Sequence, residues 1–201
     1  MDPGYFRDLY AASADPWGMS ERWYETRKYA VSLALLPRGR YASAFEPGCS
    51  IGVLTARLAP RCDDLLACDT AAAAVESASA RTAGLPGVRV EERAIPRQWP
   101  RDMSFDLIVL SELLYYFGGA DLDEVLRLST GALRPDGHLL AVHWRHDVPD
   151  YPRTGDSVHA ALAAHRGLAR LARYQDQDFT AEVFTHADGD LRSVAQAGGI
   201  A

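Results

Sequence analysis

An acid and two glycines, Glu46, Gly48 and Gly52, separate a short apolar run from an apolar periodic stretch in Ala44-Phe-Glu-Pro-Gly-Cys-Ser-Ile-Gly-Val-Leu-Thr55. A strand that passes into a helix through glycines exposes bare backbone to a ligand, because no Cβ bars the approach and the helix start offers free amide donors. Asp69 closes the next apolar run, about 20 residues beyond the first glycine, a spacing suited to accepting both hydroxyls of a ribose. The pattern Glu-x-Gly-x-x-x-Gly lacks the middle glycine that lets backbone approach a pyrophosphate, which argues against a dinucleotide. It suits a cofactor with ribose and adenine but no phosphate, of which S-adenosylmethionine is the common one. Glu46 would then stand near that molecule's amino group, where its charge is complementary. The plainer reading of Glu46-Pro-Gly48 is a turn that ends a strand.

These residues sit in a chain of 201 residues, nearly half of them apolar and a quarter charged. That length suits one domain with a sizeable core, and the composition is neither disordered nor membrane-embedded. We expect one domain over residues 1–201, with a helical cap at 1–40, a core at 41–187 and a flexible tail at 188–201. No apolar run approaches the roughly 20 residues that span a bilayer, and Met-Asp-Pro does not begin a signal segment, so a cytoplasmic protein without membrane partners is expected. Cys49, Cys62 and Cys68 have neither metal-ligand nor redox spacing and read as reduced thiols. A formal charge of −6 repels a phosphate backbone, so no nucleic-acid partner is expected.

The elements that must position the loop alternate strand and helix. Aromatic residues crowd the first forty positions, including Tyr5, Phe6, Tyr10, Trp17, Trp23, Tyr24 and Tyr29. Helical periodicity from Trp23 to Leu36 is carried by Tyr24, Ala30, Val31, Ala34 and Leu35. Strands are expected at 42–46, 64–69, 88–94, 105–111 and 139–142, and helices after the first strand, at 71–83, at 121–133 and at 156–165. Phe105-Asp-Leu-Ile-Val-Leu-Ser111 is too uniformly apolar to face water, as in the middle of a parallel sheet. Leu168–Tyr174 and Phe179–His186, joined by four polar residues, read as an antiparallel hairpin.

Five parallel strands followed by a hairpin resemble the class I methyltransferase fold: an α/β, Rossmann-like seven-stranded sheet in the order 3-2-1-4-5-7-6, with strand 7 antiparallel and helices on both faces. More specifically, the motifs Tyr5-Phe-x-x-Leu-Tyr10, Asp15-Pro-Trp-Gly18, Trp23-Tyr-Glu-x-Arg-Lys-Tyr29, Phe45-Glu-Pro-Gly-Cys-Ser-Ile-Gly52, Asp106-Leu-Ile-Val-Leu-Ser-Glu112, His143-Trp-Arg-His146 and Thr154-Gly-Asp156 resemble the nodulation protein S family. Members are S-adenosylmethionine-dependent methyltransferases, and the namesake N-methylates the free amine of a deacetylated chitin oligosaccharide.

The resemblance implies a cofactor site built from Glu46, Gly48, Cys49, Gly52 and Asp69, with Thr70, Ala94 and Ile95 beside the adenine, and Ser111 at the end of the fourth strand. It also implies that Arg27 pairs the cofactor carboxylate and that Trp17 lids the site. An exposed helix arginine and an aromatic staple are the alternative readings of those two. S-adenosylhomocysteine would be the product, and no metal is implied.

Methyl transfer is an in-line displacement governed by alignment, but an amine acceptor must shed a proton before attack. Glu112, after strand four, and His143, after strand five, are the candidate bases; a helix-start charge and a hydrogen-bonded core histidine are the alternatives. Tyr115 and Tyr116 could wall the pocket of a small-molecule acceptor, with Arg145, Asp156 and His159 beside it. Asp156 equally suits a helix cap. The acceptor is expected to be an amine of a small metabolite, an amino sugar being one candidate. O-methylation of a hydroxyl and non-catalytic cofactor binding are the competing functions. Oligomeric state is not readable from the sequence.

Overall fold

The computed structural model describes residues 3–189 and 191–201. Among these, β1 (Tyr41–Pro47), β2 (Cys62–Asp69), β3 (Val88–Glu92), β4 (Phe105–Ser111), β5 (Leu133–Trp144), β6 (Leu168–Gln175) and β7 (Phe179–His186) form one sheet in the order β3-β2-β1-β4-β5-β7-β6. β1 to β5 pair in parallel, whereas β7 runs antiparallel to both β5 and β6. The helices are α1 (Pro3–Ala12), α2 (Trp23–Leu35), α3 (Val53–Leu58), α4 (Ala72–Thr82), α5 (Gly119–Ala132), α6 (Gly155–Ala164) and α7 (Val194–Ala197).

The central strands are apolar on both sides because both faces are covered. In β4, Leu107 and Val109 join the core beneath α2 and α3, while Ile108 and Leu110 join the core beneath α5 and α6. β5 repeats the alternation, with Leu140 and Val142 on one face and Leu139 and Ala141 on the other. That period of two is what a strand buried from both sides requires. The outer strands differ: β3 and β6 carry exposed charged residues, and Arg89 on β3 pairs with Asp64 at 3.1 Å.

The expected helix at Trp23–Leu36 forms, but its inward face differs from the one expected. Glu25, Lys28, Tyr29 and Ser32 are buried, whereas Ala30 and Ala34 are exposed. β5 begins six residues earlier than expected, at Leu133, because Arg134-Pro-Asp-Gly137 continues the strand through an irregular register instead of ending it. The expected frayed tail contains α7, whose start is closed by a reciprocal capping box between Ser193 and Gln196. Asp190 of that tail and Met1–Asp2 of the expected cap lie outside the described residues. Among the described residues no helix is long and apolar enough to cross a membrane.

Candidate active site

In a parallel sheet with helices on both faces, the crevice opens where the strand order reverses, beyond the carboxyl ends of the strands. Here the reversal falls between β1 and β4, and a cavity of about 680 Å³ opens there, roofed by α1 and α2. Its floor is the loop after β1. The Gly48 and Cys49 amides both donate to the Cys68 carbonyl, at 2.7 and 2.9 Å, which folds the loop over the end of β2. Gly48 has φ +75°, a left-handed conformation that glycine adopts without steric cost. Ser50, also left-handed at φ +51°, donates its amide to Asp69 at 2.9 Å. Asp69 takes a second amide, from Ala71 at 3.0 Å, yet burial still raises its carboxyl above the usual range. Both Asp69 oxygens keep lone pairs for further donors.

Glu46 is 2% exposed, and its Oε2 has no hydrogen-bond partner. Burial raises its carboxyl to about 8. Because a buried polar atom without a partner is costly, such a group in a cavity wall is poised to receive a donor, above all a cationic one.

The opposite wall is built around Glu112. This residue follows β4 with φ +52°, a strained value for a residue with a side chain, and its amide donates to the Val142 carbonyl at 2.8 Å. Both of its oxygens are engaged. Lys28 Nζ reaches Oε1 at 2.7 Å, while the Tyr115 hydroxyl and the Trp144 amide donate to Oε2 at 2.5 and 3.0 Å. Lys28 also contacts Glu25 at 3.0 Å and lies 5.0 Å from the Tyr24 ring centre. Burial opposes its charge, but Glu112 and Glu25 outweigh it and hold the ammonium above its ordinary range. Aromatic rings complete the wall, with Tyr115 stacked on Tyr151 at 5.0 Å and Tyr24 edge-on to Trp144 at 5.3 Å. α1 closes over both sides: the Tyr10 hydroxyl meets Ser50 Oγ at 2.5 Å, and Phe6 packs edge-on against Tyr116 at 4.9 Å.

Of the residues expected at a cofactor site, the cavity brings together Trp17, Glu46, Gly48, Cys49, Asp69, Thr70, Ala94, Ile95 and Ser111; on the acceptor side it takes in Glu112, Tyr115 and Tyr116. The remaining expected site residues lie elsewhere. Arg27 turns outward to Asp176 at 2.8 Å and to the Tyr174 hydroxyl, tying α2 to the β6–β7 hairpin. Gly52 caps α3 with φ +75°, and a Cβ there would meet Ala78 Cα at 2.9 Å, so the packing of α3 against α4 requires this glycine. Arg145 and Asp156 pair with each other at 2.8 Å, Asp156 half exposed. His143 is fully buried, and its Nε2 accepts the Leu114 amide at 3.2 Å, leaving no lone pair there for a substrate proton. His159 is buried and hydrogen-bonded to His143 and Glu182.

Sequence reasoning missed Lys28, Glu25, Tyr10 and Tyr151. A signal for the first two exists: Glu25, Lys28, Tyr29 and Ser32 lie at i, i+3, i+4 and i+7, the spacing of one helix face, written in polar residues.

The family profile of Nodulation protein S (NodS) matches residues 6–161. Nodulation protein S of Rhizobium tropici is 34% identical over 134 residues, covering 64% of this chain and 55% of that protein. This chain spans between 55% and 61% of the length of the rhizobial relatives it matches. A crystal structure of a candidate methyltransferase from Pseudomonas syringae is 47% identical, covering 82% of this chain and all of the other, with a TM-score of 0.73. The N-methyltransferase NodS from Bradyrhizobium japonicum WM9, solved with S-adenosyl-L-homocysteine, is 25% identical, covering 94% of this chain and all of its own, with a TM-score of 0.83. The profile runs from α1, through the loop after β1 and the Glu112 wall, into α6, and on that match the chain belongs to the nodulation protein S family.

Proposed function

We propose that this protein is an S-adenosylmethionine-dependent N-methyltransferase acting on an amine of a small metabolite, with an amino sugar as the candidate acceptor and S-adenosylhomocysteine as the product. The same reading takes residues 1–40 as a cap over the core at 41–187. The observation that carries it is the pairing of Glu46, a buried acid with an unpartnered oxygen, with Asp69, a ribose-suited acid, across one glycine loop in a chain of this family. The residues fit the cofactor. Glu46 Oε2 would take its ammonium, Asp69 its ribose hydroxyls, and the wall at Thr70, Ala94 and Ile95 its adenine. When bound, the cofactor supplies a methyl group on a sulfonium, a leaving group that needs no acid.

The chain's own contribution is then to bind, align and exclude water. Glu112 and the aromatic wall define where an acceptor nitrogen would sit. With both oxygens held by protein donors, Glu112 acts chiefly as a fixed anion that orients an amine, while the Tyr115 hydroxyl is the polar link between acceptor and carboxylate.

The test is titration calorimetry with S-adenosylmethionine and S-adenosylhomocysteine, followed by mass spectrometry on matched primary amines and alcohols, D-glucosamine among them. Binding of both cofactor forms and a gain of one methyl on amines are expected, and Glu46→Gln should weaken donor binding about tenfold. Absence of binding rejects the reading. Transfer to hydroxyls only would make the protein an O-methyltransferase, and binding without transfer a non-catalytic binder.

A further inference from the structure

His143, fully buried, belongs to a chain of hydrogen bonds whose direction is set at both ends. At one end stands the Leu114 amide, 3.2 Å from His143 Nε2. A backbone amide can only donate, so Nε2 is the acceptor, and a neutral His143 ring carries its proton on Nδ1. That Nδ1 lies 3.2 Å from His159 Nε2, which must therefore accept, leaving the His159 proton on Nδ1. His159 Nδ1 lies 2.6 Å from Glu182 Oε2, a carboxylate that accepts it. Glu182 is 1% exposed and its other oxygen takes Arg170 at 2.8 Å, with Arg173 Nε 3.5 Å from the same atom. Every member is satisfied, and the order of protons admits one arrangement.

The far end of this chain is the acceptor loop. Leu114 begins the single turn that carries Tyr115 and Tyr116, two residues beyond the strained Glu112. We propose that Glu182, His159 and His143 act as positioning residues that clamp this loop through the Leu114 amide and so hold Glu112 and Tyr115 in place for the acceptor. The proposal rests on the methyltransferase reading only for what the loop serves. Burial pushes His143 well below its ordinary value, and the neighbouring His159 and Lys28 add to that, so the ring stays neutral as the clamp needs.

The variant Glu182→Gln tests the direction of the chain. Its amide oxygen must face Arg170, which can only donate, so its NH2 faces His159 Nδ1. Both histidines then shift their protons, and His143 presents Nε2–H against the Leu114 N–H, donor to donor. Three readouts follow: the His143 tautomer from two-bond proton–nitrogen spectra, exchange of the Leu114 amide, and kinetics with S-adenosylmethionine and D-glucosamine. In the wild type an Nδ1–H ring is expected. In Glu182→Gln the ring should become Nε2–H, Leu114 should exchange about tenfold faster, and kcat should fall about tenfold while S-adenosylhomocysteine affinity stays within about twofold. Adding Arg170→Met and Arg173→Met to Glu182→Gln removes the constraint: the introduced amide can then turn its oxygen toward His159, which should restore the wild-type tautomer and exchange.

An Nε2–H ring in the wild type overturns the proposal without any variant. So does a Glu182→Gln protein whose tautomer inverts while Leu114 exchange is unchanged. The tautomer and exchange measurements use no acceptor, so a failure to methylate D-glucosamine would reject that acceptor and leave the clamp standing.

Discussion

Lys28 is 3% exposed and has a carboxylate on each side, Glu25 and Glu112. Removing one partner of a buried charged cluster leaves the others without compensation, which costs about 3–5 kcal/mol. Lys28→Met should therefore lower stability by about that amount in urea unfolding. Adding Glu25→Gln should recover part of it, whereas full stability in Lys28→Met alone would mean the cluster is not held together by charge. The residue was missed for a physical reason: a lysine on an amphipathic helix ordinarily extends to water, and of its two carboxylate partners Glu112 lies 84 positions away. Glu46 before the loop after β1 and Asp69 at the end of β2 were legible as a pair that lines one cavity because glycine spacing and the distance to Asp69 are local properties of the chain. For His143 the structure bears out the alternative of a hydrogen-bonded core histidine, with the Leu114 amide as its partner, whereas the pairing of His159 with His143 and Glu182 is visible only in the fold.

At the scale of elements, the joint between α3 and α4 depends on the absence of one side chain. Gly52 combines a left-handed backbone with a Cβ position 2.9 Å from Ala78 backbone, a contact that side-chain motion does not relieve. Gly52→Ala should cost about 2 kcal/mol or more in thermal or urea unfolding, in line with strain plus overpacking. A cost near zero would show that α4 can slide. The strands β4 and β7 were legible to the residue, β4 because a central strand buried on both faces is almost wholly apolar, and β7 because it is one of two strand-like runs joined by a short polar connection. The inward face of α2 was not, because its buried positions, Glu25, Lys28, Tyr29 and Ser32, are mostly polar and apolar periodicity does not mark them. The early start of β5 was hidden by Pro135 and Gly137, which read locally as a turn; they lie in an irregularity between the pairs Phe105–Leu133 and Leu107–His138, which hold the segment in the sheet.

For the whole molecule, the buried titratable groups set how stability varies with pH. Burial lowers His138 to about 4, with Arg38 adding to it, and holds His143 well below its ordinary value. The unfolded chain takes up these protons below about 6.5 while the folded one refuses them, so stability falls as pH drops from about 6.5 toward 4. His138 alone accounts for about 3 kcal/mol across that window. Glu46 works in the opposite sense. Folded, it keeps its proton between 4.5 and about 8, where the unfolded chain has released it, so stability falls as pH rises through that range. Thermal melts from pH 4 to 9 should give a dome, and Glu46→Gln should flatten its alkaline side; an unchanged alkaline limb would mean that Glu46 is ionised in the folded protein.

The charged outer strands have a consequence of a different kind. A sheet ends in a row of unsatisfied backbone groups that can template pairing with another chain. On β3, Arg89 and Glu91 stand partly exposed and engaged with Asp64 and Arg93, and on β6, Arg170 and Arg173 line the other margin. Extending the sheet into a second molecule at either margin would strip water from these charges, so the ionic side chains act as a guard against edge-to-edge aggregation.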